Sequence, residues 1–194
     1  MRLHLGAIPN SLDFEPGESW RALREPTPLV AQLISVPIGV VTAAFIAFLW
    51  LLMTPVEDAP AFEPWAILLS FALIVVVHEL IHAAVHPMAG HSPRSTIGFW
   101  PSRLLFYAHY DGELTRNRFV AILVAPLVVL SIAPLLIAAF AQLGSTWVAF
   151  VSVFNALLAS LDALGAAMIL LQIPGTAIVR NQGWRTYWRA SGAR

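Results

Sequence analysis

Long uninterrupted apolar stretches dominate the pattern of hydrophobic and polar positions along this chain. Four of them, residues 29–53, 65–86, 119–143 and 147–172, reach the roughly 20 residues that a helix needs to cross a bilayer. Prolines lie inside two of these stretches. A membrane bundle tolerates them because neighbouring groups satisfy the freed carbonyls. The pattern therefore predicts an all-α membrane protein with four transmembrane helices.

The same pattern divides the chain into three parts. Residues 1–28 contain prolines and acidic residues but no apolar core, so we interpret them as a cytoplasmic N-terminal segment rather than a cleaved signal peptide. Residues 29–172 are the expected transmembrane core, and residues 173–194 are the expected cytoplasmic C-terminal tail. Between the second and third helices, short β-prone runs at residues 96–99 and 104–107 predict a cytoplasmic-side β-hairpin or re-entrant segment.

The positions of the arginines predict the orientation of the four spans. Arginines precede the first span, lie between the second and third, and follow the fourth. The loops at residues 54–64 and 144–146 contain no basic residue. Because basic residues collect in cytoplasmic loops, this alternation predicts a multi-pass protein of the cell membrane with both termini in the cytoplasm.

The composition agrees with a membrane location and excludes several kinds of function. Hydrophobic residues make up 58% of the chain and charged residues 11%, against roughly 45–50% and about 25% in soluble domains. The formal net charge is zero, which gives no indication of nucleic acid as a partner. The absence of cysteine excludes disulfides, cysteine-based zinc sites and thiol nucleophiles. We therefore expect the lipid bilayer as the surroundings and non-cysteine ligands for any metal.

The second span contains a pattern that indicates chemistry, His78-Glu79-Leu80-Ile81-His82. Residues i and i+4 share a helix face, so both histidines can present a ring nitrogen to one ion. Glu79 lies beside them and can take a proton from a zinc-activated water. A carboxylate inside the membrane costs roughly 2.5–3.5 kcal/mol even on the gentler insertion scale, which favours a functional role. We therefore predict His78 and His82 as zinc ligands and Glu79 as the general base.

The fourth span supplies the candidates for a third ligand. Asn155 and Asp162 are polar side chains on one face of an otherwise apolar helix. If the second and fourth spans cross in the same direction, both histidines and Asp162 lie roughly 20–25 Å from the outer boundary. One Zn²⁺ would balance the charges of Glu79 and Asp162, so we predict Asp162 as the third ligand of one zinc ion per chain. Asn155 is expected either to donate a catalytic hydrogen bond to the oxyanion or to link two helices.

The chain resembles the zincin peptidases, a bacterial and archaeal family related in plan to the site-2 proteases. Besides the motif at residues 78–82, the resemblance rests on Phe106-Tyr107-Ala108-His109, Leu114-Thr115-Arg116-Asn117-Arg118-Phe119, Ala125-Pro126, the segment from Asn155 to Asp162, Pro174, and Val179-Arg180-Asn181-Gln182-Gly183-Trp184-Arg185-Thr186-Tyr187-Trp188. The resemblance implies that His78 and His82 bind zinc, that Glu79 is catalytic, and that Asp162 matches the distal aspartate ligand. Site-2 proteases have an Asn-Pro-Asp-Gly type sequence around that aspartate, whereas this chain has Ser160-Leu161-Asp162-Ala163.

The resemblance also implies a use for the predicted hairpin. Site-2 proteases have a β-hairpin at the corresponding point, where an exposed strand can pair with an extended substrate. The alternative is an interfacial loop without a substrate role. A helix must be unwound before its backbone can be cut, which makes strand pairing a reasonable way to hold a substrate.

The expected function is that of an intramembrane zinc metalloendopeptidase of a prokaryotic cell, hydrolysing membrane-anchored or membrane-proximal proteins. Two alternatives stay open: a non-catalytic membrane protein with a structural metal site, and a metal ion carrier. In a carrier, His78, His82 and Asp162 would be transport ligands. A carrier would not need Glu79 as a base, and the sequence contains no visible relay of polar residues along the membrane normal.

Overall fold

The computed structural model describes residues 1–55 and 63–192, so part of the predicted loop at 54–64 and the last residues of the predicted tail lie outside the described residues. The apolar part of the protein is helical. Its α-helices are α1 (Pro28–Met53), α2 (Pro64–Val85), α3 (Arg116–Pro126), α4 (Ala133–Ala141), α5 (Thr146–Leu158) and α6 (Ser160–Gln172). A π-helical turn, Leu127–Ile132, joins α3 to α4.

Three helices of the described chain are long and apolar enough to cross a membrane: α1, α2 and the continuous helix at residues 116–141. α5 and α6 pass the same test together, but they are bent by 50° at their junction. The described chain therefore has three candidate spans, or four if the bent pair is one span. Large side chains such as Val41, Leu68 and Phe140 are exposed on these helices, as expected for surfaces that face lipid. The chain is a mostly helical membrane protein.

The ends of the first two helices follow from proline chemistry. α1 begins at Pro28 and α2 at Pro64, and proline suits the first helical position because its missing N–H would have no partner there. α2 ends at Val85, before His86 and Pro87, since the residue before a proline is disfavoured in helical conformation. The helices therefore agree closely with the predicted spans at 29–53 and 65–86.

The predicted third and fourth spans each contain a break. In the third, Pro126 and Pro134 flank the π-helical turn, because a proline inside a helix removes a hydrogen bond and distorts the preceding turn. In the fourth, α5 and α6 meet at Ala159, whose backbone N–H still donates to the Asn155 carbonyl. Asn155 and Asp162 consequently lie on two different helices, not on one straight helix face.

Two small sheets lie in the segments that connect the helices. The predicted all-α fold included one hairpin but none of the other strands. The first contains β3 (Ser95–Trp100) and β4 (Leu105–Tyr110) as an antiparallel hairpin, with β1 (Arg2–Leu5) paired in parallel to β3. The second has the order β2-β7-β6-β5, with β2 (Arg21–Ala22), β5 (Leu114–Thr115), β6 (Ile178–Gln182) and β7 (Arg185–Arg189). The hairpin between α2 and α3 is present as two paired strands; its side of the membrane stays a prediction.

Strand pairing brings both terminal segments to one end of the protein. β1 of the N-terminal segment pairs with β3, and β2 pairs with β7 of the C-terminal segment. β6 pairs in turn with β5, which directly precedes α3. As a result, the start of α1, the end of α2, the start of α3 and the end of α6 all lie at this end.

α1 packs directly on the junction of α5 and α6. A Cβ atom at Gly39 would lie 2.8 Å from the Leu157 carbonyl oxygen and 2.8 Å from the Ser160 Cβ. One turn earlier, the Ser35 Oγ lies 3.4 Å from the Ser160 Oγ. Small residues allow such a close approach of helix backbones in a membrane. The contact fixes the position of the first turn of α6, which carries Asp162.

Candidate metal centre

Three side chains with metal-binding atoms meet between α2 and α6. The His78 Nε2 lies 3.0 Å from the Asp162 Oδ2 and 3.1 Å from the His82 Nε2. The His82 Nε2 lies 3.4 Å from the same carboxylate oxygen. Both histidines are buried, and Asp162 is partly buried. The structure thus brings together the three residues that the sequence predicts as metal ligands.

The backbone of α3 fixes the orientation of the His82 ring. The His82 Nδ1 lies 2.7 Å from the Ile122 carbonyl oxygen. A carbonyl oxygen only accepts hydrogen bonds, so the Nδ1 of His82 must carry the hydrogen. In the neutral ring the lone pair is then on Nε2, which points at Asp162 and His78.

Asn155 fixes the His78 ring in the same way. Its amide nitrogen donates to the Pro126 carbonyl at 3.0 Å and to the Ser131 Oγ at 2.9 Å. Its oxygen therefore accepts from the His78 Nδ1 at 2.9 Å. Both amide hydrogens of Asn155 are used in these bonds, which favours the helix-linking alternative over an oxyanion contact. A direct catalytic role for Asn155 stays a prediction.

The hydrogen bonds continue behind Asn155 and connect three helical segments. The Ser131 Oγ donates to the Ser152 carbonyl at 2.7 Å, and the Ser152 Oγ donates to the Ser131 carbonyl at 2.8 Å. The Trp50 Nε1 of α1 donates to the Ser152 Oγ at 2.9 Å. Fully satisfied buried networks of this kind hold their members in one arrangement. The π-helical turn, α5 and α1 therefore together support the position of His78.

The donor set fits a zinc ion. Two imidazole nitrogens and one carboxylate oxygen lie within 4.8 Å of one another, and their lone pairs repel unless a cation lies among them. Two histidines and one carboxylate leave a fourth position open, as in catalytic zinc sites. The hydrogen bonds from the outer ring nitrogens to Asn155 and Ile122 are of the kind that orient histidine ligands.

Glu79 is adjacent to these ligands and has a different environment. It is buried, and among the described residues no group makes a hydrogen bond to its Oε2. Leaving a buried polar atom unpaired costs about 1–3 kcal/mol, and more for a charged group. Because Glu79 lines a cavity together with the three ligands, a water molecule or a substrate group in that cavity can supply the missing hydrogen bond.

The cavity extends from the metal centre to the two sheets and has a volume of about 220 Å³. β4 forms part of its wall along its whole length, Leu105–Tyr110. In the sheet order β1-β3-β4, β4 is an edge strand. The terminal segments complete the wall with Ile8, Leu23, Glu25, Asn181, Gly183, Trp184 and Thr186. An extended peptide placed along β4 would thus lie in the same cavity as Glu79.

The sequence pattern did not predict the contribution of the terminal segments to this cavity. For the C-terminal hairpin a signal existed: Gly183 adopts the positive φ of 57° that a tight turn between two strands favours. For the N-terminal segment we find no local signal, since β1 pairs in parallel with β3, a strand distant in sequence.

His86 and His109 lie outside the ligand cluster. The His86 Nδ1 lies 3.2 Å from the Ser95 Oγ, and its ring is 5.6 Å from that of Tyr110, so it joins the end of α2 to the hairpin. His109 is buried in β4, and burial lowers its pKa to about 4. It is therefore a neutral side chain at neutral pH.

Comparison with protein families gives a match over more than half of the chain. Residues 71–178 match the model of the family DUF3267, which carries the description "Putative zincin peptidase". The matched part runs from α2 to the first residue of β6 and contains His78, Glu79, His82, Asn155 and Asp162. No curated protein and no solved structure matches the chain.

Proposed function

We propose, from the premise that this chain belongs to the family of zincin peptidases, that it is an intramembrane zinc endopeptidase of the site-2 protease type. The observation that carries the proposal is the unpaired, buried carboxylate oxygen of Glu79 in a cavity shared with the convergent His78, His82 and Asp162. These three residues would hold one zinc ion, which when bound polarises the scissile carbonyl and lowers the pKa of water.

The residues around the ion would transfer the proton and hold the ligands in place. Glu79 accepts the proton of the attacking water and returns it to the leaving amine, as a general base and then a general acid. Asn155 and the Ile122 carbonyl hold the two histidine rings, so the ligands need no rearrangement during turnover. Neither a structural metal site nor a metal carrier requires an unpaired carboxylate beside the ligands, so Glu79 favours the peptidase over both alternatives.

The edge of β4 is the proposed binding site for the substrate backbone. The Asp111 backbone N–H donates to the Arg94 carbonyl at 2.9 Å. The next pair in the hairpin register is Ser95 opposite Tyr110. Since bonded pairs alternate in an antiparallel ladder, the N–H and C=O groups of Phe106 and Ala108 and the N–H of Tyr110 point towards the free edge. The Tyr110 carbonyl instead accepts from the Gly112 N–H at 3.1 Å. An extended segment of a membrane-anchored or membrane-proximal protein can pair there.

The proposed location is the cell membrane, with both termini, both sheets and the cavity mouth on the cytoplasmic side. Two features support this proposal, one for the cytoplasmic side and the other only for a side shared by both termini. The arginine distribution favours cytoplasmic termini, and the strand pairs bring both terminal segments to the same end of the protein.

Metal analysis of the purified protein tests the ligand set. We expect about one zinc per chain and a sharp loss of zinc in Asp162→Ala. A well-folded protein that stays metal-free in excess zinc would contradict the proposal. Zinc binding that survives Asp162→Ala but is lost in His86→Ala would show that the ligand set is wrong.

The variant Glu79→Gln tests the enzyme itself. It should abolish cleavage and keep the zinc, because the amide cannot accept the proton. Comparing the membrane proteomes of cells that carry the wild type and this variant should reveal uncleaved substrates. Equal turnover by both proteins would exclude Glu79 as the base.

A further inference from the structure

Three residues of the terminal segments form a contiguous polar group in the cavity wall. The Glu25 carboxylate accepts hydrogen bonds from the Thr186 backbone N–H at 2.6 Å and from the Thr186 Oγ1 at 3.1 Å. Asn181 lies directly opposite Thr186 in the hairpin of β6 and β7, so the two side chains are neighbours on one face. All three residues line the cavity that contains the metal ligands.

The hydrogen-bond acceptors of this group make no contact with a cation of the described residues, although the charge of Arg185 acts on Glu25. Among the described residues, no Arg or His nitrogen lies within ion-pair distance of the Glu25 carboxylate. The Arg185 side chain instead reaches the backbone carbonyl of Glu25, at 3.4 Å. The Asn181 Oδ1 is buried and has no hydrogen-bond partner in the described part of the chain. Burial raises the pKa of the Glu25 carboxyl to about 7.

The charges in the cavity indicate what would complement this group. With one Zn²⁺ bound, the charges of Glu79 and Asp162 are balanced, which leaves Glu25 as the surplus carboxylate of the wall. The Thr186 N–H and hydroxyl already donate to Glu25. What the group lacks is a positively charged donor, and an ammonium or guanidinium group supplies several N–H donors at once.

We propose that Glu25 and Asn181 form a specificity subsite that binds a basic side chain of the substrate. The subsite faces the same cavity as the free edge of β4, so a peptide paired with β4 can direct a lysine or arginine into it. This inference rests on the proposed peptidase function, because it concerns substrate selection by the same cavity. The alternative is that Glu25 only holds the N-terminal segment against β7 through its hydrogen bonds to Thr186.

Peptide binding to the zinc-loaded Glu79→Gln protein tests the subsite without cleavage. The probes are two fluorescent peptides of one extended, valine- and threonine-rich sequence, with either lysine or norleucine at one scanned position. At the position that reaches the subsite, fluorescence anisotropy should show about tenfold tighter binding of the lysine peptide, as for a charge-assisted contact. Adding Glu25→Gln should reduce the preference to within about twofold, because the amide can keep both contacts with Thr186 but carries no charge.

Two further variants separate recognition from folding. Asn181→Ala leaves the bonds between Glu25 and Thr186 in place and should reduce the lysine preference about threefold. Glu113→Gln removes a carboxylate that lies outside the cavity and pairs with Arg189, and it should leave the preference unchanged. Gel filtration and zinc content verify that each variant is folded.

The outcomes distinguish the subsite from the peptidase proposal. Equal binding of the two peptides at every position, no binding of either, or a lysine preference that survives Glu25→Gln would each overturn the subsite. A preference that depends on Glu25, in a protein whose wild type cleaves nothing, would support the subsite and contradict the peptidase function.

Discussion

Asn155 donates both of its amide hydrogens to Pro126 and Ser131, which leaves its oxygen for the Nδ1 of His78. The sequence could predict that Asn155 lies near the metal ligands, because it lies in the same apolar stretch as Asp162. It could not predict the direction of its hydrogen bonds, since these depend on the buried Pro126 carbonyl at the start of the π-helical turn in another helix. By contrast, the pairing of His78 with His82 is local and follows from helix geometry alone.

At the residue scale, we predict that Asn155→Leu weakens zinc binding by about 10–100-fold, the usual effect of removing a group that orients a histidine ligand. Ser131→Ala is the matched control: it removes one support of Asn155 but keeps the bond to His78, so its effect should stay within about threefold. Competition with a zinc chelator measures both affinities. Wild-type affinity in Asn155→Leu would contradict an orienting role.

Glu25 allows a second prediction, on the dependence of stability on pH. Its pKa is raised by burial to about 7, against an ordinary value of 4.5, and the hydrogen bonds from Thr186 and the charge of Arg185 lower it only in part. The protonated form is thus favoured by folding, so this contribution is complete below about pH 4.5 and is lost as pH rises through about 7. Relative to Glu25→Gln, the wild type should lose a few degrees of Tm between about pH 5.5 and about pH 8.

Thermal unfolding in detergent at the two pH values measures this difference. Glu113→Gln, which changes an exposed carboxylate, should follow the wild type. If the Tm of the wild type changes with pH in the same way as that of Glu25→Gln, Glu25 is well solvated in the folded protein.

At the scale of elements, the sequence predicted the helices whose ends depend on their own residues. It predicted incompletely the bends and strands that depend on contacts with distant parts of the chain. α1 and α2 follow from apolar length and from prolines at their first residues. The bend between α5 and α6 lies against Gly39 of α1, and no proline or glycine in the bend marks it in the sequence. β1 and β2 are short strands whose partners lie far away in the chain, so local pattern carries little information about them.

The free edge of β4 leads to the third prediction. Ala108→Pro should weaken binding of the extended peptides to the Glu79→Gln protein by about tenfold, because proline removes an outward N–H and keeps the hairpin bonds on the other side. Ala108→Ser retains the N–H and is the control. Anisotropy measures both. If the two variants bind alike, the substrate backbone does not pair with β4.

For the whole molecule, orientation is the property that the sequence predicts most directly, because arginine positions bear on it without reference to the fold. The strand pairs add a constraint that no local pattern contains: the two terminal segments are joined through β2 and β7. They must therefore lie on the same side of a membrane, whichever side that is.

Cysteine labelling tests the orientation, since the chain has no cysteine of its own. Leu12 of the N-terminal segment and Leu143 after α4 are both exposed. In intact cells, a membrane-impermeant maleimide should label Leu143→Cys and should label Leu12→Cys only after permeabilisation. The reverse result would invert the topology, and equal labelling of both in intact cells would contradict the number of crossings between them.

The hydrogen bonds behind His78 converge on Ser131 and Ser152: Trp50 donates to Ser152 from one end, and His78 donates to Asn155, which donates to Ser131, from the other. Every hydrogen along them has an acceptor inside the protein. These hydrogens should exchange slowly with the solvent, because each exchange requires a buried hydrogen bond to break. Under the proposed function, protons at the metal centre would therefore be exchanged on the cavity side, where Glu79 has its unpaired oxygen.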